Sequence, residues 1–214
     1  MMKFHDRTDA GKQLAEALDL SVSEESVVLA LPRGGIPLGI IIAEKYDLPF
    51  DTIQSKKIGH PHHSEYAIGA VSEEGDPLLD DFQSKRLDEK WLNSEIGRLR
   101  KKMADRRETY AKVLKKQSLK DGKVIIVDDG VATGMTVKAA IKAVKAQGAR
   151  EIIIAVPIVP QDTYRELMEL ADEVVAVDVP DFFLGAVGAY YSDFHQVEDD
   201  EVMDILKKYN QQNN

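Results

Sequence analysis

The stretch from Val124 to Thr136 constrains this 214-residue chain more than any other. Val124-Ile125-Ile126-Val127 is a run of β-favouring apolar residues. It is followed by the polar turn Asp128-Asp129-Gly130-Val131-Ala132-Thr133-Gly134-Met135-Thr136 and a helical-looking segment from Val137 to Gln147. A buried strand feeding a loop and then a helix is the predicted local structure. Backbone N–H groups of Ala132 to Thr136 can converge on an anion at the helix start, with the hydroxyls of Thr133 and Thr136 as further donors. Gly130 and Gly134 let the chain turn. Two carboxylates beside a phosphate would repel it, so Asp128 and Asp129 need other partners. The vicinal hydroxyls of a ribose and a bridging divalent cation both suit them. The pattern therefore predicts a sugar-phosphate site.

A second unit of the same kind lies upstream. Val27 to Leu31 reads as a buried strand, Pro32-Arg33-Gly34-Gly35 as a loop, and Ile36 to Ala43 as an apolar helix. Paired glycines beside a guanidinium at a strand end can hold a second anionic group. Four hydrophobic residues, two acidic residues and then Gly-x-x-Thr-Gly-x-Thr resemble the signature of the type I phosphoribosyltransferases, and Pro32 to Gly35 resembles their pyrophosphate loop. A P-loop does not fit, because no Lys follows the second Gly, and the dinucleotide G-x-G-x-x-G pattern is absent.

The resemblance implies an α/β fold: a parallel-sheet, three-layer domain over residues 1–214, with a helical insertion at about 81–118 and a C-terminal hood at about 180–198. It implies an enzyme of nucleotide salvage that transfers ribose 5-phosphate from phosphoribosyl pyrophosphate to a nitrogen base, releasing pyrophosphate with Mg2+ bound. Arg33, Gly34, Gly35 and Asp128 to Thr136 would hold phosphoribosyl pyrophosphate, with Asp128 and Asp129 as the metal-side carboxylates, directly or only through the ligand. The peptide bond between Pro32 and Arg33 would be cis. A non-catalytic regulator binding the same ligand is the alternative, and a metal-dependent phosphohydrolase is a third class.

Composition sets outer bounds. A chain that is 43% hydrophobic and 30% charged can bury one full core. The absence of Cys excludes disulfides and thiol nucleophiles. No apolar run reaches a membrane span, and the polar start Met1 to Gln13 does not read as a signal peptide, so the expectation is a cytoplasmic protein. A net charge of -9 argues against general nucleic-acid binding. The expected partners are the two substrates, with a homodimer left open, and Asn210 to Asn214 reads as a disordered tail.

Phe50 to Lys57 predicts one strand ending in Lys56 and Lys57, which join Arg33 as candidate catalytic cations facing the leaving pyrophosphate. His60, His62 and His63 lack a spaced fourth ligand and read as a solvated loop. Ala67 to Ser72 and Leu78-Leu79 predict a hairpin. Asp81 to Lys116 carries Leu92, Ile96, Leu99 and Met103 at helical steps, and twelve Lys or Arg against six Asp or Glu. By the resemblance it lies where a mobile lid closes over substrate.

Near the C-terminus, Phe182, Phe183 and Leu184 follow Pro180-Asp181 and resemble the base-stacking hood of purine enzymes, with Phe183 nearest the stacking position and Phe182 the alternative. One departure matters. Ala132 stands where the 6-oxopurine enzymes carry an acid, and Ile152 to Val159 lacks their Lys. Adenine or a less usual base is therefore expected, with Asp193 or Glu65 as substitute carboxylates.

Overall fold

The computed structural model describes residues 3–19, 26–84 and 86–212, and the side chains of Ser64, Glu65 and Asp81 are outside the described set. In chain order the elements are α1 (Arg7–Ala17), β1 (Ser26–Ala30), α2 (Gly35–Tyr46), β2 (Phe50–Thr52), β3 (Ser55–His60), β4 (His63–Ser72), β5 (Leu78–Leu79) and α3 (Asp81–Ser84). There follow α4 (Glu89–Tyr110), β6 (Lys123–Val127), α5 (Met135–Ala146), β7 (Glu151–Ile158), α6 (Gln161–Met168), β8 (Glu173–Asp178), a 3-10 turn (Val187–Tyr190) and α7 (Asp199–Gln212). No helix among the described residues is long and apolar enough to cross a membrane.

Five strands pair in parallel in the order β2-β1-β6-β7-β8. Period 2 divides each apolar run between two faces. Val28, Ala30, Ile125, Val127 and Ile153 pack with Leu14 of α1, Ile36 and Leu38 of α2, and Leu206 of α7. Val27, Leu29, Val124, Ile126 and Ile152 pack instead with Ile141 and Val144 of α5 and Leu167 of α6. Strands buried on both faces must be apolar throughout, which is why these runs do not alternate with polar residues.

Strand order reverses between β1 and β6, with β2 added on one side and β7 and β8 on the other. Such a switch point opens a crevice at the carboxyl ends of its two strands, because their connections leave in opposite directions. The chain following β1 and the chain following β6 both enter that crevice. The two glycine loops found in the sequence are therefore brought together by topology.

A second, antiparallel sheet of β3, β4 and β5 carries the helical insertion. Leu92, Ile96, Leu99 and Met103 of α4 cover its Ile58, Ile68 and Val71. Asp88 caps α4 by accepting from the Trp91 N–H at 2.7 Å. Near its other end, Arg107 donates to both oxygens of the buried Asp51, at 2.5 and 2.8 Å, and ties α4 to the main sheet. Asp51 also accepts from the Gln117 N–H at 3.0 Å.

Several local expectations are corrected. The single strand over 50–57 is two strands in different sheets, because the chain leaves β2 at Ile53 to start the hairpin. The histidines do not form a loop. His60 and His63 face each other across the β3–β4 hairpin with rings 5.9 Å apart, and His62 sits in its turn. α1 is capped by Asp6, whose carboxylate accepts from the Asp9 N–H at 2.8 Å. Residues 210–212 continue the amphipathic helix α7, while Asn213 and Asn214 are outside the described residues.

Candidate functional site

The loop after β1 turns into α2 through a cis peptide bond between Pro32 and Arg33. Gly34 then passes directly beneath the Asp129 side chain. A Cβ at Gly34 would stand 1.9 Å from Asp129 Oδ2, and one at Gly35 would stand 2.5 Å from the Val127 carbonyl oxygen and 3.0 Å from Asp128 Cα. The two loops thus interlock where both glycines lack a side chain. Close approach, rather than an unusual backbone angle, is what these glycines supply.

Asp129 is held from three directions. Its Oδ2 accepts from Arg7 Nε at 2.8 Å, its carbonyl oxygen accepts from Tyr191 Oη at 2.6 Å, and its own N–H donates to Asp128 Oδ1 at 2.9 Å. Burial, and then the charge of Asp129, push the Asp128 carboxyl well above the usual range. Burial also raises Asp129, against the pull of Arg7. One guanidinium does not offset two crowded carboxylates, so hydroxyl donors or a cation would stabilise the pair.

Gly134 adopts a left-handed conformation, φ 72°, and caps α5 without a side chain. The helix ladder begins with Lys138 N–H donating to the Gly134 carbonyl at 2.8 Å, so the N–H groups of Met135, Thr136 and Val137 lie outside it. At this end of α5 lies a cavity of about 150 Å³ lined by the loop from Gly130 to Gly134, Thr136, Asp128, Lys57 and Val187. Thr163 Oγ1 donates to the Ala132 carbonyl at 2.8 Å and fixes the loop from outside. Val131 is buried, and its N–H donates to the Ile158 carbonyl at 2.8 Å.

The expected catalytic cations separate. Lys57 lines the cavity of the signature loop, whereas its neighbour Lys56 lines a different one between α4 and α7. Adjacent residues on a strand face opposite ways, so both cannot serve one spot. Arg33 NH1 donates to Glu198 Oε2 at 3.0 Å and lies 3.5 Å from Asp199 Oδ2.

In the hood, Phe182 is 81% exposed and Leu184 49% exposed, while Phe183 stacks on Tyr190 with centroids 5.5 Å apart and packs against the core. Tyr190 Oη accepts from the Leu184 N–H at 3.0 Å, which fixes this turn. Asp193 accepts from both the backbone N–H and the ring of His195, and those bonds hold its carboxyl below the usual range. Such a carboxylate is a weak proton acceptor. The Glu65 side chain is outside the described residues.

Sequence reasoning missed Arg7, Tyr191, Glu198 and Asp199. The chain near Phe4 pairs with the hood, its N–H donating to the Tyr190 carbonyl at 3.0 Å while its carbonyl accepts from the Ser192 N–H at 2.9 Å. That pairing carries Arg7 across to Asp129, and no local pattern announces it. The four acidic residues from Glu198 to Glu201 opening an amphipathic segment were a legible helix-start signal.

Comparison with known proteins agrees with this geometry. A crystal structure of the Thermus thermophilus protein TT1426 superimposes with a TM-score of 0.81 at 40% identity, covering 97% of this chain and 99% of that one. Two Mycobacterium tuberculosis proteins, from strains CDC 1551 and H37Rv, carry names that mark them provisionally as phosphoribosyl transferases. Each is 37% identical over 210 residues, covering 97% of this chain and 47% of its own length, so the chain spans about half the length of these curated relatives. The profile of the phosphoribosyl transferase domain matches residues 4–193, and the chain belongs to that family.

Proposed function

We propose that this chain transfers the ribose 5-phosphate group of phosphoribosyl pyrophosphate to a nitrogen base, with release of pyrophosphate. The interlock of Gly34 with Asp129 carries the reading, since it sets a pyrophosphate-type loop against the paired carboxylates at one switch point. The 5'-phosphate would sit on the open N–H groups at the start of α5, with Thr133, Thr136 and Lys57 around it. Asp128 and Asp129 would accept the ribose hydroxyls. Arg33, Gly34 and Gly35 would hold the pyrophosphate. Departure of that group leaves cationic character on the ribose, so positioning and charge stabilisation supply the catalysis.

The donor set fits Mg2+ shared with a ligand. Among the described residues no group of three or more His, Cys, Asp or Glu could hold a metal ion, and Asp129 Oδ2 is already committed to Arg7. Mg2+ ordinarily uses one or two carboxylates and completes its shell with water and substrate phosphates. When bound, it would neutralise charge on the pyrophosphate. We place the base against Phe182, whose ring is free, with Leu184 beside it and Phe183 behind as support. A cytoplasmic location suits substrates of this kind.

The test is pyrophosphate release and nucleotide formation with a panel of bases, alongside calorimetry of phosphoribosyl pyrophosphate with Mg2+. Binding lost in the double variant Asp128→Asn/Asp129→Asn, together with turnover of one base by the wild type, is the expected result. Binding without turnover on any base would leave the regulator reading. Unchanged binding in the double variant would remove the site assignment.

A further inference from the structure

The helix α7 follows the residues that the family profile matches, yet its acidic start reaches the transfer site. Val202 and Leu206 are fully buried in the core, which fixes where the four acids from Glu198 to Glu201 stand. Three of those acids touch three different parts of the molecule. Glu198 Oε2 accepts from Arg33 NH1, in the loop after β1, at 3.0 Å. Asp199 lies 3.5 Å from the same nitrogen through Oδ2 and 3.3 Å from Arg106 Nε of α4 through Oδ1. Glu201 Oε1 lies 3.4 Å from His195 Nε2, beside the hood.

The contact at Arg33 conflicts with the role that the transfer reading gives that residue. A guanidinium nitrogen already facing two carboxylates cannot offer the same charge-assisted bonds to phosphate oxygens, and the carboxylates repel an incoming anion. One side must give way. The Arg33 side chain is only 19% exposed, whereas those of Glu198 and Asp199 are 64% and 56% exposed. Exposed carboxylates can turn into water at little cost, because such pairs contribute little to stability. A cavity of about 430 Å³ between α4 and α7, lined by Asp199, Lys56 and Arg106, adjoins the contact and leaves room for that movement. Asp200 is a natural comparison: it carries the same charge in the same turn and forms no ion pair among the described residues.

We propose that the first turn of α7 is an autoinhibitory contact, in which Glu198 and Asp199 occupy Arg33 in the free protein and compete with the pyrophosphate group of the donor substrate for it. The proposal rests on the transfer reading of the two loops. Arrival of phosphoribosyl pyrophosphate releases both carboxylates to water, and with Asp199 gone Arg106 is freed from α7 in the same step. Return of the carboxylates after transfer favours departure of pyrophosphate. The acidic turn therefore sets how tightly donor and product are held.

Calorimetry of phosphoribosyl pyrophosphate and of inorganic pyrophosphate, each with Mg2+, tests this on the wild type, Glu198→Gln/Asp199→Asn and Asp200→Asn. The double variant should bind both ligands about three- to tenfold more tightly, the scale of two exposed ion pairs removed from competition. Asp200→Asn should change either affinity by less than about twofold, since a solvated charge that touches no cation is largely screened. Binding in the double variant where the wild type shows none would support the proposal in a stronger form. Equal or weaker binding in the double variant, or an equal gain in Asp200→Asn, would overturn the autoinhibitory contact and leave the transfer reading standing. Absence of binding in both the wild type and the double variant would overturn the two together.

Discussion

Arg7 and Asp129, 122 residues apart, form an ion pair at 2.8 Å with both side chains largely buried. The guanidinium also donates through NH1 to the His195 carbonyl at 2.7 Å and lies over the Phe194 ring at 4.0 Å. One side chain therefore joins the amino-terminal helix, the acidic pair and the hood. Arg7→Gln would leave Asp129 beside Asp128 with no cation on it, a change that costs about 3 kcal/mol in comparable buried pairs. Urea unfolding should show a loss of that order, with weaker binding of phosphoribosyl pyrophosphate. Arg7→Lys should recover little, since a single ammonium cannot make the ring contact and both hydrogen bonds at once.

Gly34→Ala and Gly97→Ala should differ in sign. At Gly34 the new methyl collides with the Asp129 carboxylate, which must move away from Arg7. Binding should fall at least about a hundredfold, the cost of misplacing a positioned group by an ångström. At Gly97, in the middle of α4, an added Cβ meets nothing within 4 Å. Alanine there should raise stability by about 0.5 to 1 kcal/mol through helix propensity and leave ligand binding alone. Thermal unfolding and calorimetry on the two variants check both halves.

Much of the fold was legible because parallel strands buried on both faces leave an unbroken apolar signature. Val124 to Val127 and Ile152 to Ile158 could be read without neighbours. The two phosphate-type loops were legible for a similar reason: a backbone that approaches another backbone closely can only be built with glycine at Gly34 and Gly35. What escaped reading depends on distant partners. Lys56 and Lys57 look equivalent in one dimension, and only the pleat of β3 sends them to separate cavities. Phe182 and Phe183 likewise differ only in which of them Tyr190 covers. The basic insertion was visible as charge and periodicity, but its anchor to the sheet, Arg107 on Asp51, joins residues 56 positions apart.

The depressed Lys56 ammonium sets the expected response to pH. It faces Lys102 and Arg106 on α4, Arg33 after β1 and Asp199 on α7. An ammonium is charged below its pKa and neutral above it, so affinity for pyrophosphate should fall as pH rises through a value below the usual lysine range of about 10.5. Stability of the free protein should move the other way. The unfolded chain binds more protons than the folded one in that window, so unfolding becomes less favourable as pH rises. Lys56→Arg keeps its charge throughout and should flatten the binding profile. An unchanged profile in that variant would assign the pH response to another group.

The last expectation concerns the acceptor base. A flat ring stacked on Phe182 would gain about 1 to 3 kcal/mol with little regard to its identity, so stacking sets affinity rather than choice. Phe182→Ala should therefore raise KM for every base by a similar factor, whereas Phe183→Ala, by unpacking Tyr190, should lower the unfolding temperature first. Choice must come from polar edges, because a base left without partners for its buried groups is rejected far more strongly than stacking can compensate. Two such edges are missing for a 6-oxopurine. Ala132 offers a carbonyl already taken by Thr163, and β7 from Ile152 to Ile158 is buried and apolar, with no Lys to meet a 6-oxo group. Asp193, held by His195, is a poor substitute base. Hypoxanthine and guanine should consequently be poor acceptors, with adenine or a less usual nitrogen base preferred. Steady-state pyrophosphate release across adenine, hypoxanthine, guanine, xanthine, uracil and orotate decides it, and efficient turnover of hypoxanthine or guanine would refute the argument.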